Sequence, residues 1–373
     1  MSQGHCADVI IIGAGIVGAA CAEALARRGL RILVLDARLP GATAVGMGHL
    51  LVLDENRAEL ALSDYSLQRW RDWGRDMPAD CAYRNNGTLW LAANAEEQAE
   101  AERKHALLVE QGVASRLVGA AQLRQLEPAL REGLHGGLEL SGDGILYAPR
   151  AAAWLLASAP RHIEQRQARV VDIDGARVRL DSGKWLAAQA VVLANGIQAS
   201  ELCAELPIEP KKGHLLITDR YPGRVSRTLV ELGYVTSAHN ASGPSVACNI
   251  QPRPTGQLFI GASRQFGTRD PQVEGWMLAK MLRRAIDYVP ALAGLNAIRS
   301  WTGFRAASPD GLPLLGEHPQ RPGLWLAVGH EGLGVTTAPG SADLLAAQLC
   351  NERAPLDPTP YLPQRFLGER RHA

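Results

Sequence analysis

Gly13, Gly15 and Gly18 stand in the spacing GxGxxG, directly after the run Val9-Ile10-Ile11-Ile12, and Asp36 follows 18 residues beyond Gly18. Glycine at the first position makes a tight turn, at the second it lets the backbone approach a pyrophosphate, and at the third it lets helix and strand pack closely. The helix that must follow, beginning with Ala14, Ile16 and Val17 in and after the turn, offers N–H groups and the positive end of its dipole to phosphate oxygens. Asp36, with Ala37 behind it, is placed to accept hydrogen bonds from the hydroxyls of an unphosphorylated ribose. The chemistry is dinucleotide binding. The motif alone leaves NAD and FAD open.

These residues need a strand, a helix and a second strand to position them. Asp8–Ile12 is a β-branched run of the kind buried on both faces of a parallel sheet. Ala19–Arg28 reads as a helix closed by Gly29, and Arg31–Leu35 as the second strand. Helices are expected at Glu59–Arg75, Ala95–Glu110, Ala120–Leu126 and Pro149–Ser158. Asn86–Leu91 reads as turn then strand, Gly142-Asp143-Gly144 as a turn, and Val170–Ile173 with Ala176–Leu180 as a hairpin about Asp174-Gly175. Ala190–Ala194 is another buried strand.

After Pro207 the pattern alternates, at His214–Thr218, Leu229–Val235, Ser245–Ile250 and Gln257–Ile260, which predicts an antiparallel sheet interrupted by a helix near Val273–Tyr288. Leu324–Val328 returns to a buried strand, Pro339–Leu349 reads as a helix with proline in its first position, and the proline-rich end as an irregular strap. The α/β segments thus lie at both ends and in the middle of the chain, so any domain division is discontinuous. We expect residues 1–85, 140–205 and 300–373 to form the nucleotide-binding domain, and 86–139 with 206–299 a second, substrate domain.

Composition removes other classes. The 373 residues carry 39 basic and 38 acidic side chains, with 46% hydrophobic residues, a soluble globular balance long enough for two domains at roughly 100–200 residues each. A formal charge of +1 gives no footprint for nucleic acid. The six cysteines include no CxxC pair, so no metal or iron–sulfur spacing is present and a reducing compartment is expected. The apolar run Val9–Ala22 has no basic residue before it other than His5 and is short for a membrane span, which takes about 20 residues. The expected location is the cytoplasm.

Further stretches carry a resemblance. Gly46-Met47-Gly48-His49-Leu50 follows Thr43. Trp301-Thr302-Gly303-Phe304-Arg305 leads into Asp310-Gly311-Leu312-Pro313 and Gly316. Gly329-His330-Glu331-Gly332-Leu333-Gly334 precedes Val335, Thr336 and Ala338-Pro339. Together with Ala194-Asn195-Gly196 and Val170 or Val171, these resemble the family of flavin-dependent amine and D-amino-acid oxidoreductases that includes glycine oxidase, sarcosine oxidase and D-amino-acid dehydrogenases. The resemblance runs over nearly the whole chain. It implies an α/β fold, a Rossmann-like FAD-binding domain with a discontinuous, inserted substrate domain on a mixed or antiparallel sheet with helices. The wording around Met47 and His330 is similar to the FAD subunits of bacterial D-hydroxyproline dehydrogenase and of hydrogen cyanide synthase and opine dehydrogenase complexes.

The resemblance also implies roles. FAD is contacted by the fingerprint, by Thr43, Gly46, Met47, Gly48 and His49, by Val170 and Val171, by Ala194 and Gly196, by Gly303 and Arg305, and by His330, Gly332, Leu333, Gly334, Val335 and Thr336. Arg305 pairs with the substrate carboxylate and aims Cα–H at flavin N5. His49 bonds N5 or tunes its potential. The helix after the last glycine loop presents its positive end to the flavin pyrimidine edge, stabilising charge that develops on reduction. Glycine oxidase places an arginine where Gly332 stands and a tyrosine near Asn249, so a pocket not shaped for glycine is expected, lined instead by Asn249 and Arg264. Covalent sarcosine oxidases carry a cysteine near Gly303, so FAD is expected to be non-covalent.

The expected reaction is oxidation of the Cα–N bond of a small D-amino or cyclic imino acid, cis-4-hydroxy-D-proline first, to an imine. Some sarcosine oxidases activate oxygen with a lysine whose position is Phe259 here, which favours a dehydrogenase passing electrons to partner subunits with a flavin or iron–sulfur centre. The competing expectations are a glycine or sarcosine oxidase, and a flavoprotein that serves mainly as an assembly subunit.

Overall fold

The computed structural model describes residues 7–52, 56–233 and 243–368. Cys6, the far end of the expected strand Leu229–Val235 and the basic C-terminal end lie outside them.

The first βαβ unit forms as its residue types require. Val9–Ile12, Ile16–Ala26 and Ile32–Asp36 are its strand, helix and strand, the helix starting at Ile16, directly after the fingerprint's second glycine, and so three residues before the expected Ala19. Val9–Ile12 sits inside a six-stranded sheet in the order Leu314–Glu317, Leu324–Val328, Ala190–Leu193, Val9–Ile12, Ile32–Asp36, Ile163–Gln167. All its pairings are parallel except that of Leu314–Glu317 with Leu324–Val328. Burial on both faces explains the continuous apolar runs. Val9 and Ile11 face a core shared with the helices Ile16–Ala26 and Gly334–Leu349. Ile10 and Ile12 face the opposite core, roofed by the three-stranded sheet Val170–Asp174, Arg177–Leu180 and Trp185–Ala187.

A second sheet has nine strands in the order His330–Glu331, Ala297–Ala307, Glu209–Thr218, Leu258–Arg264, Ser245–Pro252, Thr228–Glu231, Thr88–Ala92, Gly136–Leu140, Arg116–Gly119. It is mixed, because Thr228–Glu231 runs parallel to Thr88–Ala92 while the other pairings are antiparallel. The helix Gly275–Tyr288 turns Met281, Ala285 and Tyr288 onto one face of it. The chain passes from Leu324–Val328 in the first sheet to His330–Glu331 in the second through Gly329, at φ +80°, a left-handed conformation that glycine adopts without strain. The glycine-rich loop therefore ties the two sheets together where they meet.

The last long helix corrects the sequence reading. It runs Gly334–Leu349 with Pro339 inside it, not from Pro339. A proline cannot donate to the carbonyl four residues back, here Val335, and normally ends a helix for that reason. Two side chains of the helix Arg57–Gly74 compensate. The Trp70 indole Nε1 donates to Val335 O at 3.0 Å and to Thr336 O at 2.9 Å, and Ser66 Oγ accepts the Gly340 N–H at 3.1 Å. The helix consequently begins five residues earlier, at the loop.

Candidate active site

A cavity of about 1300 Å³ runs between the two sheets, from Asp36 and Val170 at one end to Arg264, Arg305 and Glu331 at the other. At the first end the backbone makes the walls. A Cβ on Gly13 would lie 2.6 Å from Ala194 O, and one on Gly18 2.0 Å from Gly13 O, so strand, turn and helix close only with glycine there. Asp36 Oδ2 accepts the Ala14 N–H at 2.7 Å and its Oδ1 the Arg38 N–H at 2.6 Å, which fixes the carboxylate at the rim. Thr43 Oγ1, on the short helix Ala42–Val45, accepts the Ile16 N–H at 3.0 Å and so caps the first helix from a neighbouring segment.

In the middle, Gly46-Met47-Gly48 passes beside the cavity. Arg253, buried beneath, donates to Met47 O at 3.3 Å and Leu146 O at 3.2 Å. Trp301 Nε1 donates to Val45 O at 2.9 Å. Gly303 faces this loop, and a Cβ there would lie 2.2 Å from Val45 Cγ2. Leu333, Gly334 and Val335 also line the cavity, so the positive end of the last helix opens onto it. His330 behind them is buried, its Nε2 3.1 Å from Ser341 Oγ. Burial lowers its pKa to about 3, so the imidazole is neutral. His49 is neutral for the same reason, with a pKa also near 3.

At the far end side chains take over. The Arg305 guanidinium lies between Gly213 and Gly332. A Cβ on Gly213 would meet its Nη1 at 2.9 Å and one on Gly332 its Nε at 3.5 Å. Nη1 donates to Ser263 O at 3.2 Å. Lys211 pairs with Arg305 in register across the sheet, and like charges so placed repel unless a carboxylate joins them. Glu331, on the next strand, does so: Lys211 Nζ is 2.6 Å from its Oε1. Burial would raise the Glu331 carboxyl, but Arg305, Lys211 and Arg264 together hold it below the ordinary value. Asn249 and Arg264 come from adjacent strands, and both line the cavity. Asn249 Oδ1 is buried without a hydrogen-bond partner.

The predicted residues therefore converge. All of them line the cavity except Gly18 and Thr336. Gly18 packs helix on strand. Thr336 Oγ1 donates to His49 O at 3.0 Å, so it ties the last helix to the short strand His49–Leu50. Phe259 does not line the cavity; it packs edge-on against Trp301 with 5.7 Å between ring centres. Sequence reasoning gave no role to Lys211 or Glu331. Glu331 carried a signal inside the quoted glycine loop, whereas Lys211 is identified only by its register with Arg305.

The fold and cavity define a dinucleotide-binding α/β protein whose nucleotide end is built largely from backbone and whose far end gathers the charged side chains of Arg305, Arg264, Lys211 and Glu331. Residues 8–348 match the family model described as FAD dependent oxidoreductase, and the chain belongs to that family. It is 30% identical to glycine oxidase of Geobacillus kaustophilus (strain HTA426), over 98% of each chain. It is 27% identical to the hydrogen cyanide synthase subunit HcnC of Pseudomonas aeruginosa, over 97% of each. The crystal structure of glycine oxidase from Geobacillus kaustophilus superposes with a TM-score of 0.86 at 28% identity, covering 97% of this chain and 99% of that one. The family and its glycine oxidase neighbours are FAD-dependent, and the residues fit that group: Gly13 and Gly18 leave no room for a side chain at the turn, and the Asp36 carboxylate is fixed at the cavity rim. The chain is an FAD-dependent amino-acid or amine oxidoreductase.

Proposed function

We propose that the chain is an FAD-dependent dehydrogenase that oxidises the Cα–N bond of a small D-amino or cyclic imino acid to an imine, with cis-4-hydroxy-D-proline as the first candidate. Bound FAD supplies the two-electron acceptor. The observation that carries the reading is Arg305, a guanidinium between two glycines at the cavity wall with one protein hydrogen bond among the described residues, so that its planar fork can meet a carboxylate in two parallel bonds. Asn249 Oδ1, a buried acceptor without a partner, supplies the place for the substrate N–H. Holding the carboxylate and the nitrogen fixes Cα, and orientation of this kind accounts for much of such catalysis. Arg264 and Lys211 with Glu331 complete the wall, and His49 lies beside the ring position.

Non-covalent FAD is supported by Gly303, where Val45 leaves no room for a cysteine side chain. Transfer of electrons to a partner subunit rather than oxygen is supported by similarity to HcnC, itself named a subunit. The glycine oxidase likeness favours an oxidase as the second reading. A cytoplasmic location accords with five free cysteines among the described residues. Among those residues no helix is long and apolar enough to cross a membrane.

An anaerobic absorbance spectrum of the purified holoenzyme, before and after each of a panel of D-amino, N-methyl and cyclic imino acids, tests this. Bleaching of the flavin by cis-4-hydroxy-D-proline with little peroxide formed in air is expected. No bleaching by any member rejects the reading, and rapid peroxide formation with glycine or sarcosine establishes the oxidase.

A further inference from the structure

The Gly46-Met47-Gly48 loop is held from beneath by a buried cation. Arg253 is only 9% exposed, and its guanidinium donates to neutral oxygens: Met47 O, Leu146 O and, at 2.9 Å, Gln251 Oε1. The Phe259 ring lies over it, with its centre 5.0 Å from the guanidinium carbon. Among the described residues no carboxylate pairs with it or acts on its charge. Burial lowers its pKa to about 10, so it stays charged at neutral pH. A buried cation without a counter-ion is costly, and a neutral side chain of similar length would fill the same space. Retaining the charge makes sense where negative charge arises nearby.

The Met47–Gly48 peptide carries that charge to the cavity. In a trans peptide the C=O and N–H point in opposite directions. Met47 O points at Arg253, which does not line the cavity, so the Gly48 N–H points the other way, toward the cavity that Gly48 lines. Gly48 is buried, and among the described residues its N–H donates to no group. A buried backbone N–H without a partner is rare, and an acceptor on a ligand answers it. The peptide is locked in this orientation. Gly48 has φ +72°, its carbonyl accepts the Leu146 N–H at 2.8 Å, and a Cβ on it would lie 2.0 Å from Leu146 O. Arg253 binds Met47 O and Leu146 O together, so one guanidinium fixes both sides of the turn.

We propose that Arg253 is a positioning residue for the flavin: it aims the Gly48 N–H at an acceptor of the flavin ring and polarises that donor, so that negative charge arriving on the ring is stabilised. A dinucleotide with its pyrophosphate at the Gly13–Gly18 turn has the middle of the cavity for its ring, and this loop forms the wall there. A donor fixed in advance toward developing charge costs no reorganisation when the charge appears, and a hydrogen bond backed by a cation is strengthened along the chain of dipoles. Arg253 acts through the Met47–Gly48 peptide and touches no substrate. The proposal rests on FAD binding and is independent of which amine is oxidised.

The test uses purified holoenzyme and needs no substrate. The flavin midpoint potential is read by anaerobic equilibration with a reference dye. Sulfite, which adds to oxidised flavin and leaves negative charge on the ring, is titrated by the loss of flavin absorbance. Arg253→Met is expected to bind sulfite roughly tenfold more weakly and to have a potential lower by about 30 mV, the equivalent of tenfold for a two-electron couple. Arg253→Lys keeps the charge and is expected to recover at least half of both shifts. Thermal unfolding of the same proteins separates charge from packing. A clamp that is only structural lowers the stability of both variants and leaves potential and sulfite affinity at wild-type values, which overturns the proposal. A lysine variant no nearer to wild type than the methionine variant overturns it too. Should Arg253→Met yield no holoenzyme, the wild type decides: its crystal structure with FAD is expected to place Gly48 N within about 3.5 Å of a ring oxygen or nitrogen, and a longer separation overturns the assignment.

Discussion

The two ends of the cavity are built by different means. The nucleotide end is mostly backbone: a turn from Gly13 to Gly18 and a helix N-terminus, with a single carboxylate at Asp36, all within 24 residues of the chain. The far end is side chains from four neighbouring strands, Arg264, Lys211, Arg305 and Glu331, with more than a hundred residues between the first and last. A backbone site is fixed by where side chains are missing, which a short segment specifies. A side-chain site is fixed by register, which only the assembled sheet specifies.

The largest expected effect separates the ends outright. Gly13→Ala forces a Cβ against Ala194 O at a φ of +107°, so the protein is expected to purify colourless and to lose on the order of 3 kcal/mol of stability, read by flavin absorbance and denaturant unfolding. Arg305→Ala should do the converse: the flavin stays bound while kcat/KM for the carboxylate substrate falls by roughly 10³-fold. An unchanged kcat/KM would turn the comparison over and favour the assembly-subunit reading. The smallest effect is expected at the junction of the ends. Trp70→Phe deprives Val335 and Thr336 of a shared donor, at a cost of about 2 kcal/mol, visible as a lower midpoint in denaturant. If stability is unchanged, water replaces the indole and the proline-containing helix needs no partner.

Legibility in the sequence follows the same division. The run Val9–Ile12, the fingerprint and Asp36 declare a βαβ unit because each acts on its immediate neighbours. Lys211 declared nothing, since a lysine in a strand is ordinarily a solvated residue and becomes part of a site only opposite Arg305. Pro339 misled for a related reason. Its local rule, that proline starts a helix, is sound, and it was overridden by Trp70 and Ser66 from some 270 residues away. His49 was visible as a residue in a glycine-flanked turn, but its hydrogen bond to Thr88 required two separate segments to meet.

The sequence by itself determined the cofactor class and the discontinuous α/β plan and singled out Arg305, because glycine spacing and strand-ending motifs act over a few residues. The tertiary structure alone decided where the last helix begins, which charges share the Arg305 wall and which hydroxyl meets His49. Those depend on hydrogen bonds and ion pairs between side chains far apart in the chain, whose strength is set by burial that no local pattern records.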